Sequence, residues 1–344
     1  MKMPDFLPVP LETIADALPS FGRTLILTHV NPDPDCIGSA LALMEMLRAA
    51  GGDAKIVCPT SVPAYTAFLP SLCGLTAGDL TPDPADGEAF DTVLAVDTAS
   101  PAQLGELASL IPRVRFMIDH HGRGVPFAPF CIDPDASAAG EILFRLYRIL
   151  REEGRIPELP DAARLLYCAV VGDTGGFQFS NTTPATHETA AFLLEEINRD
   201  AAVTGKPDTA DLCRRLLATR SLNDLRARAL AVRNLRLYKG GRLAAVLFTT
   251  DMLREEGLSE EDLGGAVDVP RSVDGAAVAL TLRQNPADPR KFRLSSRANE
   301  DVDCAAVCAL FGGGGHKRAA GATVEADTPE EAFAAAVEAF SAIV

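Results

Sequence analysis

Through its first half the chain alternates short apolar runs with longer segments of helical period. "TLILTHV" (24–30) reads as a buried strand, and "CIGSALALMEMLRAAGG" (36–52) as a helix stopped by glycines. "AKIVC" (54–58), "DTVLAVDT" (91–98) and "RVRFMID" (113–119) add three strand-like runs. "ASAAGEILFRLYRILREEG" and "DAARLLYCAVVGD" carry the spacing of amphipathic helices. Strand and helix in this succession predict an α/β fold, its N-terminal part a mostly parallel sheet with helices on both faces. From 186 to 236 the pattern turns helical and arginine-rich, notably "DLCRRLLATRSLNDLRARALAVRNLRL". It reads as a connector helix or helix pair whose charges form a solvated face. "GRLAAVLFTT", "GAAVALTLRQ" and "KFRLSSRA" then read as strands, and "VDCAAVCALF" and "PEEAFAAAVEAFSAIV" as helices. The expected organisation is a first domain over 1–185, a helical connector over 186–236 and a smaller α/β domain over 237–344.

Composition narrows the partners. With 344 residues and 47% hydrophobic content the chain can bury more than one core. A formal charge of -15 argues against long duplex nucleic acid, which is gripped by broad basic surfaces. A short phosphorylated substrate in a local pocket stays open, provided something local, such as bound metal, attracts the anion. The eight cysteines form no CxxC pair and sit mostly in apolar segments, as reduced thiols do. Cys304 and Cys308, four residues apart in a predicted helix, read as core thiols. "MKMPDFLPVP" lacks the apolar core of a signal peptide, and no apolar stretch approaches the ~18 residues of a membrane span. A cytoplasmic protein without membrane association is the expectation.

Unusual polar chemistry falls at the ends of four apolar runs. His29, Asp33 and Asp35 follow the first strand, Asp97 closes "TVLAVD", Asp119, His120 and His121 close "RVRFMI", and Asp173 ends "VVGD". Taken singly, each has an ordinary explanation. Asp33 and Asp35 shape a turn, with Asp35 well placed as the next helix's N-cap, and Asp97 before Thr98 is another candidate cap. Together they are harder to dismiss. Three of the chain's five histidines stand beside carboxylates at strand ends, and parallel strands deliver those ends to one sheet edge, where ligands gather. Carboxylate and imidazole without thiolate suit Mn²⁺ or Mg²⁺ better than structural zinc. Four aspartates and two histidines exceed the needs of one ion. Two ions roughly 3.5 to 4 Å apart and bridged by a carboxylate would use them, which points to hydrolysis at phosphorus. Near the C-terminus, "FGGGGHKRAAGAT" (311–323) offers backbone N–H groups of Gly313, Gly314 and Gly315 to an anion, followed by His316, Lys317 and Arg318. Arg297 in "LSSRAN" and Arg271 are candidate partners.

"HVNPDPDCIGS", "VDTAS", "DHH", "GDTGGFQFSNTT" and "GGGGHKRAAG" occur in the order in which the DHH phosphoesterase family carries them. The chain thus resembles that family over nearly its whole length, including its C-terminal DHHA1 domain. Its compact length resembles the nanoRNase and pAp-phosphatase branch rather than the longer RecJ exonucleases. The resemblance implies two Mn²⁺ ions, with Mg²⁺ or Co²⁺ as alternatives. One would be held by His29, Asp33 and Asp97, the other by Asp35, Asp97, His120 and Asp173, with Asp97 bridging. It further implies that Asp119 orients His120, that His121 contacts the scissile phosphate or assists the leaving group, and that a metal-activated water attacks. Arg297, the glycine run, His316 and Lys317 would hold the far phosphate or nucleoside. The implied substrates are short single-stranded oligonucleotides and 3'-phosphoadenosine 5'-phosphate (pAp). Linear or cyclic dinucleotides, pyrophosphate as in the family II pyrophosphatases, and a non-catalytic nucleotide sensor remain as alternatives. A homodimer is compatible with the sequence, which holds no argument for one.

Overall fold

The computed structural model describes residues 6–80, 90–122 and 124–344. Residues 1–5 of the opening stretch lie outside them. The chain divides between Thr219 and Arg220 into two compact units.

The first unit is built on β1 (Arg23–Leu27), β2 (Asp53–Val57), β3 (Thr92–Val96), β4 (Val114–Asp119) and β5 (Phe130–Ile132). The five strands are all parallel, in the order β2-β1-β3-β4-β5. Both faces are covered, so β3 is buried at every position and reads as a continuous apolar run. On one face Ile26, Ile56, Leu94, Val96 and Ile118 pack against α1 (Leu11–Ala17), α2 (Pro34–Ala49), α3 (Ala139–Glu152) and α4 (Pro160–Asp173). On the other, Leu25, Leu27, Val93, Ala95 and Met117 meet Leu104 and Leu107 from short 3-10 turns over Pro101–Arg113. The strand order reverses between β1 and β3, so a crevice opens beyond their carboxyl ends. Two glycines let helices close around it. A Cβ on Gly140 would lie 2.5 Å from that of Ala169, and one on Gly172 2.6 Å from that of Pro34.

The stretch read as a separate connector is shared between the units. The helices α5 (Pro184–Thr204) and α6 (Thr209–Cys213) pack on α4, whereas α7 (Leu222–Arg233) buries Ala227, Leu230 and Ala231 in the second unit. Its arginines pair locally, Arg214 with Asp211, Arg228 with Asp224 and Arg233 with Glu256, as a solvated face does.

The second unit has β6 (Arg236–Tyr238), β7 (Leu243–Phe248), β8 (Val278–Gln284), β9 (Lys291–Ala298), β10 (Gly314–His316) and β11 (Ala319–Glu325) in the order β10-β11-β9-β8-β7-β6. Only the β7–β8 pair is parallel. Phe292, Leu294 and Ala298 face a core shared with α10 (Cys304–Ala309) and α11 (Pro329–Ser341). On the opposite face Val246 and Phe248 are covered by α7 and by residues around α8 (Thr250–Glu256) and α9 (Asp268–Arg271). All eight cysteines are free, and Cys304 and Cys308 are buried. Among the described residues no helix is long and apolar enough to cross a membrane.

Candidate metal centre

The loop after β1 carries the first ligand candidates. His29 is buried and its Nδ1 lies 2.9 Å from the Val30 carbonyl. That acceptor fixes the proton on Nδ1 and leaves the Nε2 lone pair free. Nε2 faces Asp97 Oδ2 at 3.3 Å and Asp33 Oδ1 at 4.0 Å. Asp33, not Asp35, is the N-cap of α2, accepting from the Cys36 amide at 2.9 Å. Asp35 points the other way. It accepts from Ser39 Oγ (2.9 Å) and from the amides of Ala139 (2.7 Å) and Gly140 (2.9 Å). Those amides open α3, whose own N-cap, Ala138, has no side-chain acceptor. Asp35 therefore caps a helix more than a hundred residues away along the chain.

Asp97 sits at the centre, 2% exposed and with left-handed backbone (φ 53°). Non-glycine residues adopt that conformation at a cost, and such strain clusters at functional sites. Its amide donates to Ile118 O, which ties it to the end of β4. Oδ2 faces His29, while Oδ1 lies 3.7 Å from His120 Nε2 and 3.6 Å from His121 Nδ1. Oδ1 is buried with no hydrogen-bond partner. His120 turns Nδ1 toward Ala136 O (3.3 Å) and Nε2 toward Asp35 Oδ2 (3.8 Å) and Asp173 Oδ2 (3.7 Å). Asp119 does not orient the His120 ring, as the resemblance implied. Its Oδ1 accepts from the His121 ring Nδ1 at 2.7 Å and takes only the backbone amide of His120. The two imidazoles of one triplet are thus held by different partners.

Burial raises the pKa of Asp35, and burial with four neighbouring carboxylates holds that of Asp97 well above the usual range. Asp173 is pushed up to about 7, again chiefly by burial and then by Asp35. Such a cluster is costly to ionise unless a cation compensates it. An orphaned, buried carboxylate oxygen among free imidazole lone pairs and carboxylates fits a divalent ion by donor chemistry. His29 and Asp97 can share one ion. Asp35, His120 and Asp173 can hold another, with Asp97 also within reach of His120 and His121. Two residues nearby escaped the sequence reading. Cys36 Sγ lies within 4.8 Å of donor atoms of His29 and Asp97. Asn181 donates to Asp173 Oδ2 (3.2 Å), Asp173 O (3.1 Å) and Ser137 O (2.9 Å), fixing that carboxylate. Asn181 stood inside the quoted "GDTGGFQFSNTT", but a lone amide there carries no distinguishing signal.

In the second unit the register sets His316, Ala319 and Arg297 side by side across β10, β11 and β9. Arg297 Nη1 donates to Ser296 O at 3.0 Å, and His316 is exposed. Lys317 pairs with Asp301 at 2.8 Å, and Arg271 on α9 lies against Asn299. The glycines read as an anion cradle have folding duties. A Cβ at Gly313 would stand 2.2 Å from Gly321 O, and one at Gly315 2.6 Å from Ala319 O, so the hairpin itself excludes side chains there. Gly314 alone of the three has open space around it.

Residues 23–170 match the DHH family, N-terminal domain, and residues 240–344 match the DHHA1 domain. The chain belongs to the DHH family. It is a hydrolase acting on phosphoester bonds, and the enzymes of this family use divalent metals. Among its relatives is the bifunctional oligoribonuclease and PAP phosphatase NrnA of Thermus thermophilus, 29% identical over 96% of this chain and 93% of that protein. The protein of the same name from Bacillus subtilis is 27% identical over 88% and 89%. In fold, an exopolyphosphatase-related protein from Bacteroides fragilis superposes with a TM-score of 0.82, covering 96% of this chain and 95% of its own at 23% identity.

Proposed function

We propose that this enzyme hydrolyses short oligonucleotides, and pAp, to mononucleotides with Mn²⁺ as its ion. The observation that carries the reading is the Asp97 carboxylate. One oxygen faces His29, and the other, unpartnered, faces His120. A carboxylate so placed would serve two divalent ions, one held with His29 and Asp33, the other with Asp35, His120 and Asp173. Bound there, divalent ions would supply Lewis acidity and an activated water for displacement at phosphorus.

The protein's own part is positional. Backbone carbonyls at Val30 and Ala136 hold the two imidazoles with Nε2 inward. Asp119 holds the His121 ring by Nδ1, so its remaining nitrogen can serve the phosphate or the leaving oxygen. Asn181 keeps Asp173 turned toward His120. The names of the T. thermophilus and B. subtilis relatives support the nucleotide substrates, and the coverage of both chains almost end to end favours them over pyrophosphate. Free cysteines throughout support a reducing, cytoplasmic setting.

The test is one Mn²⁺ assay panel offering pAp, pApA, pGpG, cyclic-di-AMP, pyrophosphate and a long single strand. Turnover of pAp and of the short oligonucleotides is expected, with the long strand a poor substrate. Pyrophosphate as the sole substrate would overturn the reading.

A further inference from the structure

The second unit carries an arginine pair that the site described so far does not use. Along β9, Lys291, Arg293, Ser295 and Arg297 alternate with the core residues Phe292, Leu294, Ser296 and Ala298. Residues in register on neighbouring strands share a face, and this one, covered over β7 by α7 and the residues around α8 and α9 and exposed at Arg293, sorts into rows. One row holds His316, Ala319 and Arg297. The next holds Gly314, Gly321, Ser295 and Thr281, all small. A third holds Thr323, Arg293 and Arg283.

Arg283 and Arg293 stand directly opposite each other on antiparallel strands, an arrangement that costs stability for like charges. Arg283 Nε is buried with no hydrogen-bond partner, and neither arginine has a salt bridge among the described residues. Burial and the facing Arg293 both disfavour the Arg283 charge, and Glu260 is the acidic neighbour that opposes them. An unpartnered buried guanidinium nitrogen is expensive to keep. A bound anion would remove both the repulsion and the missing hydrogen bond. The rows of Arg297 and Arg293 are four residues apart on β9, or about 14 Å at the rise of an antiparallel strand. Between them lies the floor of small side chains.

We infer that this face binds the backbone of a single-stranded oligonucleotide, with Arg283 and Arg293 gripping a phosphate distinct from the one held in the row of Arg297 and His316. The inference rests on the nucleotide reading above and deepens it. The arginine pair rewards substrates with several linked phosphates, whereas a single nucleotide cannot span both rows. It makes the second unit a gauge of chain length.

The experiment pairs metal-free binding with turnover. Fluorescence anisotropy with a labelled pentanucleotide in chelator is compared for the full chain and for R283Q, R293Q and the double variant. Each single variant is expected to weaken binding about tenfold, the worth of one charged hydrogen-bonded contact. The slope of log affinity against log salt should fall by about 0.7 for the lost phosphate contact. In the Mn²⁺ assay the ratio of kcat/KM for pentanucleotide to that for pAp should fall by a similar factor, through KM rather than kcat. Arg293 is exposed, so R293Q carries the test if R283Q fails to fold. Unchanged affinity and an unchanged ratio in a folded R293Q would overturn the inference. Arginine-dependent binding without turnover of any oligonucleotide would instead overturn the proposed function and leave the binding face standing.

Discussion

The two units present polar residues in opposite ways. In the first, parallel strands bring His29, Asp97 and His120 from separate loops to one edge, where they bury charge and strain with no folding return. Asp97 holds a left-handed backbone and a buried oxygen without a partner. In the second, the glycine run is explained by packing, since Gly313 and Gly315 lie against the backbone of the strand beside them. Residues that cost stability and repay nothing structurally mark function more reliably than residues the fold itself demands. By that criterion the centre around Asp97 is legible as a site, and the second unit's chemistry lies in its arginines rather than its glycines.

Substituting Asp97 is the severest way to break this contrast. Asp97→Asn removes the shared charge while keeping the shape. Catalysis by metal-bound groups is worth several kcal/mol, so kcat/KM should fall on the order of 10³ or more. The thermal midpoint of the metal-free protein should hold or rise, because a buried repulsive charge is gone. Wild-type turnover in the variant would refute the sharing of Asp97 between ions. Smaller losses are expected from residues that position others. Asp119→Asn should lower kcat about 10- to 100-fold through His121, and Asn181→Ala should lower Mn²⁺ affinity by a comparable factor through Asp173. Titrating each variant with Mn²⁺ separates them, since only the second should shift the metal midpoint.

Proton linkage sharpens the same comparison. Asp35, Asp97 and Asp173 have folded pKa values raised above the ordinary 3.8, Asp173 to about 7. The folded state then binds more protons than the unfolded one, so the cluster's contribution to stability declines as pH rises from about 4 through about 7. A bound cation removes the penalty. The gain in thermal midpoint on adding Mn²⁺ should therefore be larger at pH 8 than at pH 5, and Asp173→Asn should narrow that difference. An equal gain at both pH values in the wild type would contradict the origin assigned to these shifts.

Much of this was visible in the residues. The apolar runs locate β1 to β4 and β7 to β9 within a few positions: strands buried on both faces, such as β3 and β7, leave an unbroken signal, and β9 leaves an alternating one. Three features differ from what the sequence predicts, each for a physical reason. Asp35 looked like a local N-cap, but its acceptors serve α3, and no local pattern reports a cap supplied from so far away. Asp119 holds His121 rather than the His120 that the resemblance implies, since adjacent rings leave the strand end in different directions that spacing does not record. The helical stretch after 185 carries one continuous pattern although its parts pack in different units, a distinction made only by tertiary contacts.

The glycine run offers the mildest test, and it asks whether the second unit's glycines serve the fold or the ligand. Gly315 has φ of 141° and no room for a Cβ, so Gly315→Ala should destabilise the chain by about 1–3 kcal/mol, read in denaturant unfolding. Gly314 has open space, and Gly314→Ala should change stability by less than about 0.5 kcal/mol. Any loss of nucleotide affinity in that second variant then reports backbone approach by the ligand, unmixed with misfolding. Equal destabilisation in the two variants would mean that the hairpin, rather than contact at single positions, sets the need for glycine.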